Sequence, residues 1–125
     1  MIVKRNQSFE ILDYNQKNIN YYKSKDNLLK HARCNKNTNG IMLISPKTKE
    51  LIGYCAWERD MIIALEVIKE FRNQSYGEYL VKKAVSNGCN KLTTSINNTP
   101  AIKLYEKLGF QVVNKIGSRI TMKIK

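Results

Sequence analysis

The chain has 125 residues, of which 42% are hydrophobic and 26% charged. This size and balance predict one domain, residues 1–125, whose core needs no disulfide or metal to fold. The sequence excludes a helical membrane span, because no run approaches the roughly 20 apolar residues required. The first ten residues contain no apolar signal-peptide segment, so we expect a cytoplasmic domain without a membrane partner.

The net charge of +12 suggests a nucleic-acid partner. The lysines are scattered over nearly every predicted element, however, and no basic run reaches five or six residues. The pattern therefore leaves nucleic acid open as a partner without favouring it. A polyphosphate ligand would be attracted by the same charge.

Cysteines are three in number, Cys34, Cys55 and Cys89, with neither CxxC nor metal-ligand spacing. We interpret them as reduced, predict no metal site, and assign Cys55 to core packing in a strand. A nucleophile built from Cys55 and the sole histidine, His31, is conceivable, but no local pattern supports it.

In chain order, apolar stretches within residues 1–14 predict a first strand, and residues 16–34 are predicted to be helical. A polar loop over 35–40 follows. The remaining predicted strands are 41–45, 50–57, 61–68, 91–96, 110–114 and 119–124, and the remaining helices are 76–88 and 99–108. This order predicts an α/β (α+β) fold, in which a mixed, mostly antiparallel sheet of about six to seven strands carries helices on both faces.

The stretch LEVIKEFRNQSYGEYL, residues 65–80, joins a strand to a helix through a short polar loop. The apolar run 61–68 is typical of a strand buried on both faces. Free amides and the positive dipole end meet where the next helix begins, which suits an anion such as phosphate. Gly77 lacks a Cβ and lets backbone approach a ligand closely, and Arg72 adds positive charge. An ordinary strand-to-helix loop remains the alternative.

Arg72-x-x-Ser75-x-Gly77 resembles the signature of the GNAT superfamily of acetyl-CoA-dependent N-acetyltransferases, with Ser75 where that family usually has glycine. Residues 98–110, NTPAIKLYEKLGF, resemble the family's second cofactor segment. From the residues themselves, Thr99 is predicted to cap that helix and Pro100 to be its first residue.

The resemblance implies a GNAT-like fold in which strands 61–68 and 91–96 splay apart and admit the pantetheine arm of acetyl-CoA. It places amides of the loop, strand backbone and one asparagine at the cofactor. The predicted cofactor site comprises Leu65, Val67, Arg72, Asn73, Gln74, Ser75, Tyr76, Gly77, Glu78 and Asn98.

The implied reaction moves an acetyl group from acetyl-CoA to a primary amine by direct attack, which calls for a base and an acid. Glu66 is our candidate base, either directly or through a water path. Alternation places it on the face of Ile62, Ala64 and Ile68, where burial would raise its pKa. A solvated Glu66 paired with a lysine or arginine is the competing interpretation.

Tyr105 matches the family's tyrosine beside the thioester sulfur and is the candidate general acid; a plain core tyrosine is its alternative. Asn98 could equally be a loop or cap residue. Glu58 and Asp60 are weaker base candidates, and Thr93, at the position where some members carry a base, cannot serve.

Two other functions stay open: a non-catalytic acetyl-CoA-binding regulatory module, and an RNA-interacting acetyltransferase acting on aminoacyl-tRNA. The acceptor could be a small amine, a peptide N-terminus or a lysine side chain. A homodimer could complete the acceptor groove.

Overall fold

The computed structural model describes residues 9–23, 29, 32 and 34–124. Seven strands lie within these ranges: β1 (Glu10–Asp13), β2 (Thr38–Ile44), β3 (Leu51–Glu58), β4 (Met61–Val67), β5 (Lys91–Ser95), β6 (Phe110–Ile116) and β7 (Arg119–Ile124). The helices there are α1 (Gln16–Lys23), α2 (Tyr76–Ser86) and α3 (Thr99–Lys107), and a 3₁₀ turn, Lys69–Phe71, follows β4. No helix in the described ranges is long and apolar enough to cross a membrane.

All seven strands form one sheet in the order β1-β2-β3-β4-β5-β7-β6. Only the β4–β5 pair is parallel, and the other neighbours are antiparallel. The predicted mixed, mostly antiparallel sheet is therefore confirmed.

Helices cover both faces of this sheet, as predicted. On one face α2 buries Tyr76, Leu80, Val81 and Ala84 at helical spacing, against a cluster that also contains Tyr105 of α3. On the other face α1 buries Ile19 and Tyr22 against a second cluster. We call these the α2/α3 face and the α1 face.

The two parallel strands separate soon after they begin. Their register contains only Met61 opposite Lys91 and Ile62 opposite Leu92. Strand β4 nevertheless continues to Val67 and stays paired with β3, and β5 continues to Ser95 and stays paired with β7. The far halves of β4 and β5 therefore diverge and leave a gap in the middle of the sheet.

A β-bulge in β4 reverses the expected alternation of side chains. Ala56 lies opposite Ala64, but Trp57 lies opposite Ile62, so Ile63 is an extra residue. Ile62 consequently packs on the α2/α3 face, whereas Ala64 packs on the α1 face. The prediction that Glu66 shares a face with Ile62 was wrong, while its sharing a face with Ala64 and Ile68 is confirmed.

Strand β4 is also not buried on both faces as predicted, since Ile63 is 45% exposed. The reason is the gap beside it, which removes the neighbour that a central strand normally has. Strand β3, one position further in, is the strand buried from Leu51 to Trp57.

The remaining boundaries differ from prediction by a few residues. β2 begins at Thr38, inside the predicted loop 35–40, and the described helix of the predicted 16–34 stretch ends at Lys23. Residues 1–8, 24–28, 30, 31, 33 and 125 lie outside the described part, and so do the predictions that fall on them.

Candidate active site

The loop between β4 and α2 folds back onto the end of β4. Arg72 Nε donates to the Val67 carbonyl over 3.0 Å, and Gln74 Nε2 donates to the Glu70 carbonyl over 3.4 Å. Asn73 and Ser75 adopt left-handed backbone conformations, with φ of 63° and 71°. These contacts and angles form a sharp turn directly before the helix.

The amino end of α2 leaves several amides without an acceptor in the helix. Its first intrahelical hydrogen bond runs from the Tyr79 N–H to the Ser75 carbonyl, over 3.1 Å. The amides of Tyr76, Gly77 and Glu78 precede that bond, and the Ser75 side chain caps none of them. With the positive end of the helix dipole, this is suitable geometry for an anion.

Gly77 has a packing role that the sequence did not reveal. A Cβ built on it would lie 3.3 Å from Leu104 Cδ2 of α3 and 3.9 Å from Val67 Cγ2. The missing side chain therefore lets the first turn of α2 approach α3 and the end of β4. Its φ is not positive, in contrast to that of Ser75.

The Glu78 side chain ties α2 to α3. Its carboxylate lies 2.9 Å from Lys107 Nζ and 3.0 Å from Lys82 Nζ. Hydrogen bonding from Lys107, and secondarily from Lys82, lowers the pKa of Glu78. The Glu78 carboxylate is thus paired with two lysines, and the group predicted to contact the cofactor is the backbone amide of Glu78.

The gap between β4 and β5 forms a cleft of about 240 Å³. Its walls are the far halves of the two strands, the start of α3 and Arg119 of β7. Of the residues predicted for function, Leu65, Glu66, Asn98 and Tyr105 line it, and Val67 ends the strand that forms one wall.

Backbone groups on the β4 wall point into the cleft. The Ile68 N–H donates to the Ile52 carbonyl of β3, so alternation directs the polar groups of Leu65 and Val67 away from β3. The Val67 carbonyl already accepts from Arg72. The other groups form a short free strand edge of the kind that binds an extended ligand.

Tyr105 lies on the α2/α3 face of the cleft and is only 6% exposed. Its ring makes an edge contact with Phe110, with ring centres 6.0 Å apart. Burial, and then the nearby Cys55 and Glu66, raise the pKa of the Tyr105 phenol, so it keeps its proton at neutral pH. No described residue forms a hydrogen bond with its hydroxyl, which leaves the proton available for donation.

Glu66 lies on the opposite, α1 face of the same cleft. It is paired with Tyr54 across the β3–β4 ladder. Desolvation raises the pKa of Glu66, and Arg72 partly opposes this. Within the described residues, no lysine or arginine lies at ion-pair distance from its carboxylate. The competing interpretation, an ion-paired Glu66, is therefore not supported among these residues.

The weaker base candidates lie elsewhere. Glu58 Oε2 accepts from Thr38 Oγ1 over 3.0 Å at the end of β3, and Asp60 pairs with Lys91 over 3.7 Å. Both are beside the start of β4, where β4 and β5 are still paired. The structure therefore does not bring them to the cleft.

Asn98 caps α3, because its Oδ1 accepts from the Ala101 N–H over 3.3 Å. The prediction of Thr99 as cap and Pro100 as first residue was wrong by one position, since Thr99 begins the helix. Asn98 fits better because its side chain reaches the amide three residues on. The residue lies at the rim of the cleft.

Cys55 and Cys89 are buried thiols in the α2/α3 core cluster. Burial raises the pKa of Cys55, and burial followed by Asp60 raises that of Cys89 to about 11. Protonated thiols are poor nucleophiles, and Cys55 packs in a strand as predicted. His31 lies outside the described residues. No group of three metal-ligating side chains occurs within them.

Arg119 is a cleft residue that the sequence analysis missed. Nothing in the local sequence indicates it. Strand β7 lies between β5 and β6 in the sheet, so Arg119 comes near the cleft through a strand order that differs from the chain order. Its guanidinium Nη2 donates to Thr93 Oγ1 over 3.1 Å.

Residues 7–110 match the Acetyltransferase (GNAT) family, and the chain belongs to that family. It is similar to N-alpha-acetyltransferase 30 of Dictyostelium discoideum, with 33% identity over 97 residues that cover 73% of this chain and 50% of the relative. The chain thus spans half the length of this relative.

Solved structures of the same fold include Arabidopsis thaliana NAA60 in complex with acetyl-CoA, with a TM-score of 0.68 and 13% identity over 92% of this chain and 97% of that one. Another is the PaiA N-acetyltransferase of Thermoplasma acidophilum in complex with coenzyme A, with a TM-score of 0.68 and 15% identity over 94% and 99% of the two chains. At these identities the likeness shows the fold, and the predicted GNAT-like architecture is confirmed.

Proposed function

We propose that this chain transfers the acetyl group of acetyl-CoA to a primary amine, and that its preferred acceptor is the α-amine of a peptide. The observation that carries the proposal is the early end of the β4–β5 ladder, which opens a cleft with Tyr105 on one face and Glu66 on the other. Family membership and two neighbours of the same fold, in complex with acetyl-CoA and coenzyme A, support the choice of co-substrate.

The residues present fit acetyl-CoA. The amides at the start of α2 suit its diphosphate, and the free edge of β4 suits the amide-containing pantetheine arm. The remaining predicted contacts, from Arg72 to Ser75, surround that same helix start. Asn98 at the rim would orient the arm with the part of its amide group that does not cap α3.

In this proposal each face of the cleft has one task. Glu66 accepts the proton of the ammonium from the α1 face, directly or through water. The freed amine forms the new C–N bond at the thioester carbonyl. The nitrogen of the resulting tetrahedral intermediate still carries one extra proton. As the C–S bond breaks, Tyr105 gives its proton to the leaving sulfur from the α2/α3 face. The extra proton on the nitrogen passes through solvent to restore the Tyr105 hydroxyl, so the products are a neutral amide and the coenzyme A thiol. No enzyme nucleophile is required.

A peptide α-amine suits this base better than a lysine side chain does. The α-amine has a pKa of about 7.7–8.0, against about 10.4 for lysine. The α-ammonium therefore gives its proton to the Glu66 carboxylate more readily than a lysine ammonium does. Arg72 limits how far the pKa of Glu66 rises. The relative named N-alpha-acetyltransferase 30 supports the same choice.

The test is release of the coenzyme A thiol with a panel of acceptors: short peptides, lysine side chains, polyamines and aminoacyl-tRNA. We expect the peptides with a free N-terminus to give the highest kcat/KM. Tight acetyl-CoA binding without thiol release for any acceptor would contradict the proposal and favour the binding-module alternative.

A further inference from the structure

Arg119 lies on the acceptor side of the cleft. Leu92 packs in the α2/α3 cluster, so alternation places its neighbour Thr93 on the α1 face. Arg119 lies opposite Ser95 in the β5–β7 register and reaches Thr93 with one guanidinium nitrogen, over 3.1 Å. The guanidinium therefore shares a face with Glu66, and both residues line the same cleft of about 240 Å³.

This face carries opposite charges on its two walls. Glu66 supplies a carboxylate from β4, and Arg119 supplies a guanidinium from β7. Among the described residues, neither charge belongs to an ion pair. A guanidinium has five N–H donors, and the bond to Thr93 Oγ1 occupies one, so other donors remain for a ligand.

We propose that Arg119 is a specificity-determining residue, which binds an anionic group carried by the acceptor beside its reacting amine. A guanidinium holds a carboxylate with two parallel hydrogen bonds and repels a second ammonium. The amine would face Glu66 while the carboxylate faces Arg119. The favoured class is therefore an α-amine with a nearby carboxylate, supplied by an Asp or Glu side chain in a peptide or by a free amino acid.

The alternative is that Arg119 binds acetyl-CoA. In that case its substitution would weaken acetyl-CoA binding and would not change the preference among acceptors. The free amides of α2 and the Tyr105 hydroxyl lie on the α2/α3 face, whereas Arg119 is on the α1 face. The inference rests on the proposed function, and it assigns Arg119 to the acceptor and not to the co-substrate.

The test compares two peptides that differ only in glutamate or glutamine at the second position, and free glutamate with its α-amide. We expect the acidic peptide to have a kcat/KM about tenfold or more above its neutral partner, as hydrogen bonds to charged groups give. Arg119→Gln should reduce that ratio to about one, and Arg119→Lys should retain only part of it. Preference for free glutamate over its α-amide would identify the α-carboxylate as the source.

The matched control is Lys115→Gln, which removes the same charge from the same β6–β7 hairpin at an exposed position that does not line the cleft. This variant should keep the wild-type ratio. Three results would overturn the inference. The first is equal kcat/KM for the acidic and neutral acceptor of each pair. The second is an Arg119→Gln variant whose kcat/KM falls by the same factor for both acceptors, and the third is a variant that binds acetyl-CoA more weakly.

Calorimetry of the two peptides with the coenzyme A complex separates this inference from the proposed function. If turnover is absent, tighter binding of the acidic peptide that depends on Arg119 still supports the assignment. Equal binding of the two peptides refutes it. Absence of turnover itself counts against the enzyme proposal only.

Discussion

At the start of β4, the chain is tied to its parallel neighbour, whereas its far half has lost that neighbour completely. The Asp60 carbonyl accepts from the Asn90 and Lys91 amides, the Asp60 carboxylate pairs with Lys91, and the ladder begins at Met61. After Ile62 the ladder with β5 stops, and a loop with two left-handed residues follows the strand. Strand β4 thus gives up its hydrogen bonds to β5 along the stretch that lines the cleft.

Along this one strand, the paired start holds the sheet together, and the unpaired far half lines the cleft. Substitutions at the open end should change binding or turnover with modest effects on folding. The predictions below test this, beginning with the largest expected effect.

Gly77→Glu should weaken acetyl-CoA binding by roughly a hundredfold or more, because a carboxylate at the start of α2 would oppose an anionic ligand. Gly77→Ala is the matched control, since its Cβ is crowded at 3.3 Å by the end of the flexible Leu104 side chain and makes an ordinary contact with Val67 at 3.9 Å. Calorimetry measures both affinities. Unchanged affinity in the glutamate variant would exclude the α2 amides as the diphosphate site.

Tyr105→Phe should lower kcat by roughly a hundredfold, the usual lower range for loss of a general acid, with acetyl-CoA affinity nearly retained. The ring and its edge contact with Phe110 survive this change. Tyr79→Phe is the control, because Tyr79 is a partly buried tyrosine of α2 that does not line the cleft, and it should leave kcat unaffected. Equal losses in kcat and affinity would refute the role of Tyr105 as proton donor.

Glu66→Gln should lower kcat/KM by about a hundredfold at neutral pH, the lower end of what a positioned proton-transfer group contributes. Because desolvation raises the pKa of Glu66 above its ordinary value, wild-type kcat/KM should rise with pH as this carboxyl loses its proton. The variant should lack that limb of the pH profile and keep only the limb due to the amine. An unchanged profile would point to a water path that does not include Glu66.

Ser75→Gly should stabilise the fold by about 0.5–1 kcal/mol, because relief of the left-handed strain exceeds the added freedom of the unfolded chain. The strained angle is the 71° φ of Ser75. Urea unfolding measures the change, and Ser86→Gly in the last turn of α2 should destabilise instead. A loss of stability in Ser75→Gly would show that the serine side chain contributes more than its strain costs.

The sequence predicted the elements that depend on local pattern. The helix from Tyr76 follows from its apolar spacing, and the left-handed Ser75 agrees with the glycine usual at that place in the family's motif. Tyr105 and Asn98, which both line the cleft, could be proposed together because one segment of the chain contains both.

Features that depend on distant pairing could not be predicted. The bulge at Ile63 reverses which face the earlier part of β4 presents, and it arises from registration against β3. The placement of Arg119 beside Thr93 requires β7 to lie between β5 and β6, which no local pattern indicates. The position of Tyr54 opposite Glu66 likewise depends on the register between β3 and β4.

A crystal structure of the chain with acetyl-CoA tests the central claim most directly. The account predicts the diphosphate on the amides of Tyr76, Gly77 and Glu78, the pantetheine arm along the free edge of β4, and the thioester sulfur beside the Tyr105 hydroxyl. Acetyl-CoA bound elsewhere, or bound with its thioester remote from both Tyr105 and Glu66, would contradict it.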